Sequence, residues 1–176
     1  KIHIQGYDMK RSDSNTVSKI AQQSVIEMIL DGKKKDEVVD YLRSLYKKMI
    51  SGGFTDEEMG IPKGITKPLN NYRPPPAIVK GAIFSNNMFY TNYGKGSKPR
   101  FVYIKTYQGM EQQVKVGEKT YKLETIAYDT KIPEGFEVDW EAMSKRTFKM
   151  KLTKLFNAVG WEWEELSVTG LASFFQ

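Results

Sequence analysis

Apolar residues recur along this chain in two rhythms. Near the start, Val17, Ile20, Ala21, Val25, Met28 and Ile29 fall mostly three and four apart, the spacing of one helix face. Asp13 or Ser14 supplies the N-cap oxygen that the first amides of such a helix need. Asp31-Gly32 ends it, because glycine readily takes the left-handed conformation that closes helices. A second stripe of Val38, Val39, Leu42, Leu45, Tyr46 and Met49 predicts a helix over about 36–51, stopping at Gly52-Gly53. Two helices joined by so short a turn form an αα-hairpin. The helical rhythm returns from Trp140: Phe148, Leu152, Leu155, Phe156 and Val159 share a face of a helix over about 140–159 that ends at Gly160.

Between these stripes the pattern changes. Residues 54–76 are loop-rich and finish in Pro74-Pro75-Pro76, which cannot stand inside a helix. The proline run is either a polyproline ligand or, the reading preferred here, a stiff lead into a strand. Strand-like runs follow: AIVKGAIF (77–84), RFVYIKTY (100–107), QQVKV (112–116) and YKLETIAY (121–128), the last two separated by Gly117-Glu118-Lys119. The expected fold class is α+β. A helical domain, built from the αα-hairpin and a C-terminal helix over residues 13–160, carries a small, mainly antiparallel β insertion over about 77–128. The opening KIHIQGYD alternates like a strand and has no initiator Met, whereas the closing ELSVTGLASFFQ ends in large apolar side chains.

Composition narrows the chemistry. At 176 residues, 40% hydrophobic and 12% aromatic, the chain makes one folded domain with at most a small appendage. No apolar run approaches the roughly 18 residues of a membrane span, and no signal-peptide pattern is present. The absence of cysteine excludes disulfides and thiolate metal sites and agrees with a reducing, cytoplasmic setting. His3 is the sole histidine, so a histidine metal cluster or a Ser-His-Asp triad is excluded. The carboxylates are scattered, none paired within an apolar run, and no catalytic or metal-binding residue is assigned.

Charge points elsewhere. The net charge is +6, yet the segment from Trp161 onward holds Glu162, Glu164 and Glu165 and no base, so residues 1–160 carry +9. Two stretches are basic and free of acids. One runs from Lys80 to Lys105 with Lys95, Lys98 and Arg100, interleaved with Tyr90, Tyr93 and Tyr103; the other holds Lys145, Arg146, Lys149, Lys151 and Lys154. On the last helix Arg146 and Lys154 fall opposite the apolar face, and Lys145 falls beside it. A solvated charged face would explain either stretch alone; together they favour contact with a phosphate backbone. No zinc-finger, RNP or P-loop pattern appears, so the expected binding is indifferent to sequence and dependent on salt.

Several stretches also carry a resemblance. IQGYDMKRSDSNT resembles the "K-x-x-G-hydrophobic-acid-…-R-S" junction between palm and thumb of family B DNA polymerases. AIVKGAIFSNN resembles the "H-I-R-G-A-L-hydrophobic-Y-N" strand of T-even-type phage polymerases, with Ala77 at the family's His and Lys80 at its Arg. FVYIK (101–105) resembles their "F-V-Y-L-K". VDWEAMSKRTFKMKLTKLFNAVGWEWEE is similar to "V-D-Y-…-F-x-K-S-F-…-P-L-…-I-G-W", Arg146 standing at the family's Lys and Lys151 at its Pro. TGLASFF resembles the family's clamp-binding tail, although Val168 stands where many clamp-binding peptides carry Gln.

The resemblance, most marked to T-even-type and cyanophage-type replicative polymerases, implies a C-terminal piece of such an enzyme. Residues 1–12 would be the last palm strand and junction, 13–160 the thumb, and 161–176 the clamp-binding tail. The chain would be either a separately encoded subunit or an excised domain. Its duplex-binding residues would be Lys10, Arg11, Ser12, Lys80, Lys98, Arg100, Arg146 and Lys149, and its clamp anchor Leu171, Phe174 and Phe175. The implied partners are primer–template DNA, the catalytic polymerase segment and a sliding clamp, with no membrane; in a virus the setting is the host cytoplasm. The motifs D-x-x-S-L-Y-P and Y-G-D-T-D-S, which hold the metal-binding aspartates, are absent. Magnesium therefore belongs to the catalytic part, and this chain alone is expected to be an inactive portion of a nucleotidyltransferase. Two alternatives remain open: a free-standing, sequence-independent nucleic-acid-binding module, and a tail folded back onto the domain.

Overall fold

Helix α1 (Thr16–Leu30) begins beyond both expected caps. In the computed structural model of the chain, in which residues 13–163 are described, Asn15 is the N-cap. Its Oδ1 accepts the Ser18 amide at 2.8 Å, and its Nδ2 donates to Thr147 Oγ1 at 3.1 Å. An amide can accept at one atom and donate at the other, which the carboxylate of Asp13 cannot do. α1 closes at Asp31 and Gly32, whose φ is +78°. Helix α2 (Lys35–Ile50) follows, with Val38, Val39, Leu42, Leu45, Tyr46 and Met49 buried as the stripe predicts.

α1 does not bury the expected face. Val17, Ala21 and Val25 are buried, but Ile20 is 37% exposed, and the polar Ser18 and Gln22 are buried in its stead. The reason lies in the last helix, which runs from α5 (Trp140–Ser144) through a π-helical turn (Lys145–Lys149) into α6 (Met150–Ala158). A π turn closes on i→i+5 bonds and takes in an extra residue, which loosens the helix's own carbonyl ladder. α1 supplies donors along this stretch: Ser18 Oγ reaches Thr147 O in the π turn at 2.7 Å, and Gln22 Nε2 reaches Lys151 O, just beyond it in α6, at 3.2 Å. Asn15, Ser18 and Gln22 stand three and four apart, so this polar seam obeys helical spacing as an apolar one would.

The same helix corrects a second expectation. Met143, Phe148, Leu152 and Phe156 are buried, but Leu155 is half-buried and Val159 is 38% exposed. The helix stops at Ala158, which leaves Val159 at the cap. Trp163 is buried and stacks on Phe156 at 5.3 Å between ring centroids, with Trp161 tilted against the same ring at 5.7 Å. These helices belong to one compact unit, formed by residues up to Glu58 and from Trp140 onward.

The second unit spans Met59–Asp139. It begins at the end of the short helix α3 (Asp56–Met59) and contains strands β1 (Ile61–Pro62), β2 (Arg100–Tyr107), β3 (Gln113–Val116), β4 (Lys119–Lys122), β5 (Thr125–Tyr128) and β6 (Phe136–Val138). β1, β2 and β5 lie in that order, and β6 also pairs with β2; β3 and β4 form a separate hairpin. All pairings are antiparallel, with Phe101 opposite Ala127, Ile104 opposite Val138 and Val114 opposite Tyr121. β1 and β6 lie outside the strand-like runs of the sequence.

AIVKGAIF is not a strand. It opens helix α4 (Ala77–Phe89), N-capped by Pro76, so the β region starts at Arg100 apart from the two residues of β1. The β-branched Ile78, Val79 and Ile83 favour strand locally, but Gly81, Ala82 and Ser85 form a narrow helical face that lies close on β5. Ser85 Oγ donates to Ala127 O at 2.8 Å and accepts the Ala127 amide at 3.1 Å. Thr125 Oγ1 donates to Ala77 O at 2.8 Å. β5 ends the strand order, and the two Ser85 bonds occupy the Ala127 backbone groups on the edge that pairing leaves open. A core of Ile65, Ala82, Phe101 and Ala127, with Leu69, Tyr72, Ile78 and Tyr93 packed around it, completes the unit.

Candidate nucleic-acid interface

The basic stretch of the second unit is longer than the run from Lys80 to Lys105. No acid stands between Glu58 and Glu111, an interval holding Lys63, Lys67, Arg73, Lys80, Lys95, Lys98, Arg100 and Lys105. The fold brings two parts of it side by side. Lys63 N donates to Pro99 O at 3.2 Å, Ile65 N to Ser97 O at 2.8 Å and Gly96 N to Ile65 O at 2.8 Å. The segment bearing Lys63 and Lys67 therefore runs along the loop bearing Lys95 and Lys98, and all four lysines are exposed. Lys63 and Lys67 were missed because residues 54–76 read as plain loop. The signal that finds them is the missing acid, which continues upstream of Lys80.

Side chains hold this loop in shape. Asn86 Nδ2 donates to Tyr93 O at 2.8 Å, and Asn86 Oδ1 accepts from Tyr93 N at 2.9 Å and Thr91 Oγ1 at 2.8 Å. Ser97 Oγ accepts the Gly94 amide at 2.9 Å. Burial, then the charge of Asp129 and a hydrogen bond to it, pushes the Tyr93 hydroxyl up to about 12. Across the paired segment, the Tyr72 hydroxyl accepts the amides of Thr66 and Lys67 at 3.1 and 3.2 Å. A side-chain hydrogen bond with Thr66, these amides and the Lys67 charge hold its pKa below the usual tyrosine value.

Of the expected contact residues in this unit, Lys98 stands on the exposed loop. Arg100 is half-buried at the start of β2, its Nη1 donating to Asp129 O at 2.6 Å. Lys80 is the correction. It sits on α4 and not on a strand, is 9% exposed, and places Nζ 3.7 Å from Glu124 Oε2 and 5.7 Å from the Tyr121 ring centroid. Lys80 thus ties α4 to the turn between β4 and β5.

In the helical unit, the π turn displays the second basic stretch. Phe148, Leu152 and Phe156 face inward, while Lys145, Arg146 and Lys154 are exposed and Lys149 is half-buried. Lys145 is not tucked beside the apolar face as α-helical spacing predicts, because the wider turn changes the angular step between residues. Lys151 is half-buried, 4.0 Å from Asp13 Oδ1. The expected sites Lys10, Arg11, Ser12, Leu171, Phe174 and Phe175 lie outside the described residues.

Among the described residues, no three His, Cys, Asp or Glu side chains gather where they could hold a metal ion. No helix among the described residues is long and apolar enough to cross a membrane.

No protein-family model matches the chain. A DNA polymerase of Archaeoglobus fulgidus is 26% identical over 126 residues, which cover 72% of this chain and 15% of that protein. DNA polymerase 2 of Aeropyrum pernix is 30% identical over 83 residues, covering 47% and 10%. The DNA polymerase alpha catalytic subunit of Oxytricha trifallax is 34% identical over 73 residues, covering 39% and 5%. The fold matches the family B DNA polymerase of the archaeon Pyrobaculum calidifontis with a TM-score of 0.56 at 22% identity, over 80% of this chain and 17% of that one. The chain is similar in sequence to parts of DNA polymerases and in fold to part of a family B DNA polymerase. It spans between about a twentieth and a sixth of the length of these polymerases. The mixture of helices and small antiparallel sheets expected from the hydrophobic pattern is the fold class observed.

Proposed function

We propose that this chain is the thumb region of a family B DNA polymerase of the T-even type, and that it grips the primer–template duplex through the sugar-phosphate backbone. The observation that supports the polymerase reading is the similarity to a DNA polymerase over 72% of the chain; the thumb and the T-even type rest on the motif resemblance in the sequence. The surfaces described above support it. Each unit exposes an acid-free basic stretch, Lys63, Lys67, Lys95 and Lys98 in one and Lys145, Arg146 and Lys154 in the other. Lysine ammonium groups are compact point charges that attract phosphate without reading bases. Such a grip holds DNA of any sequence while chemistry proceeds on carboxylates that this chain does not supply. Lys10, Arg11 and Ser12 would extend the grip at the palm junction. Leu171, Phe174 and Phe175 would anchor the polymerase to a sliding clamp, a contact strengthened by avidity once DNA is bound.

The test is duplex binding by the full chain across a salt series. Each lost phosphate contact should reduce the slope of log K against log salt by roughly 0.9. Lys95→Ala with Lys98→Ala, and separately Arg146→Ala with Lys149→Ala, should each weaken binding and flatten the slope. Lys80→Met should leave the slope unchanged, since Lys80 is buried against Glu124. Wild-type affinity and slope in both double variants would sink the assignment.

A further inference from the structure

Tyr90 breaks two habits of folded proteins. Its φ is +56° and ψ +31°, the left-handed region that tyrosine seldom visits. Its side chain projects from the end of α4 with 92% of the residue exposed. A helix C-terminus of this shape ordinarily carries glycine or asparagine. An aromatic ring held in that conformation and left in water is the kind of outlier from which a functional role is inferred.

The backbone around the ring is fixed. Asn86 binds the main chain of Tyr93 through both its amide atoms and also the hydroxyl of Thr91. Ser97 closes the Gly94 turn, and the loop pairs with the segment at Ile65. Tyr90 is therefore presented at the root of an ordered loop whose exposed charges, Lys95 and Lys98, are both positive. Lys95 is five residues from Tyr90, so the two backbones are within about 18 Å, the reach of a few nucleotides. No acid occurs anywhere in the interval from Met59 to Met110.

An exposed ring at the root of a loop that carries two exposed lysines suits a ligand with an apolar face and an anionic backbone. A nucleotide strand has both, and aromatic rings flanked by basic residues are how proteins hold single strands without reading sequence. A ring can stack only on a base whose face is open, which in a duplex means a frayed end or an unpaired nucleotide. We propose that Tyr90 is a stacking platform for an unpaired nucleobase, with Lys95 and Lys98 on the neighbouring phosphates. The proposal rests on the nucleic-acid reading above and adds to it a preference for DNA that is not fully paired.

The experiment compares the full chain on a blunt duplex and on the same duplex with a single-stranded overhang carrying 2-aminopurine. Wild type should bind the overhang DNA more tightly and quench the probe. Tyr90→Asn keeps a residue that tolerates the left-handed conformation but removes the ring, and should weaken overhang binding roughly tenfold while sparing blunt duplex. Tyr90→Phe should retain both the preference and the quenching. Equal binding of the two DNAs by wild type, or unaltered overhang binding by Tyr90→Asn, would overturn the platform and leave the duplex grip standing. Failure of wild type to bind either DNA would overturn both.

Discussion

Tyr93 carries its hydroxyl from the usual value of about 10 up to about 12, through burial and the neighbouring Asp129. Between those values the unfolded chain releases the phenolic proton and the folded chain keeps it. The stabilisation is therefore complete below about pH 10 and is lost as the pH climbs towards 12. We expect the melting temperature of wild type to fall across this window more steeply than that of Tyr93→Phe. The phenolate absorbance titration of the variant should lack one late-ionising tyrosine. Equal slopes in the two proteins would show that Tyr93 does not hold its proton on folding. The same residue packs against the core of its unit and is bound twice by Asn86, so alkaline loss of the loop and of stability should coincide.

Elements here are set by small residues as much as by large ones. α4 approaches β5 so closely that a Cβ on Gly81 would lie 2.7 Å from Thr125 O and 2.9 Å from its carbonyl carbon. Both are backbone atoms, which cannot swing aside. Replacing an exposed helical glycine by alanine gains about 1 kcal/mol. At Gly81 the sign should reverse, with Gly81→Ala losing roughly 2 kcal/mol in denaturant unfolding as α4 is pushed off β5. A gain in stability would mean that α4 can move away without loss, against the three hydrogen bonds that Thr125 and Ser85 make between the elements. In the helical unit the counterpart is the polar seam of Asn15, Ser18 and Gln22, fitted to the carbonyls and hydroxyl around the π turn.

The whole chain divides into a helical unit interrupted in sequence and a second unit, Met59–Asp139, that is continuous. The strands of the second unit pair with one another, and α4 caps the free edge of β5 within it. A continuous segment with its own core should fold alone. We expect residues 59–139, produced as a separate chain, to give one cooperative thermal transition and a mixed helix-and-sheet circular dichroism spectrum. A non-cooperative melt would show that its core needs the helical unit. Because this segment includes the long acid-free interval, it should also carry part of the salt-dependent DNA binding proposed above.

Much of this was legible beforehand. α2 carries its stripe of six apolar residues without interruption, so periodicity alone located the helix and its buried face. The turns at Gly32, Gly52 and Gly117 adopt the positive φ that marked them as breaks. Strands β2, β3 and β5 lie within the strand-like runs, whereas β4 starts two residues ahead of one, at Lys119 in the stretch read as a separator. The excess of base over acid was plain from counting, and so were the lack of cysteine and the presence of a single histidine. These features are local, because a few neighbouring residues suffice to produce each of them. The rest depended on partners distant in the chain. α4 is a helix because Gly81 and Ser85 meet β5, and local β propensity yields to that packing. The buried face of α1 is part polar because a π turn some 130 positions away presents carbonyls to it. Lys80 is a structural tie and Lys63 a surface charge because folding places Glu124 beside one and the Lys95 loop beside the other. A residue type states which interactions a side chain can make, and the packed chain selects among them by what it brings within reach.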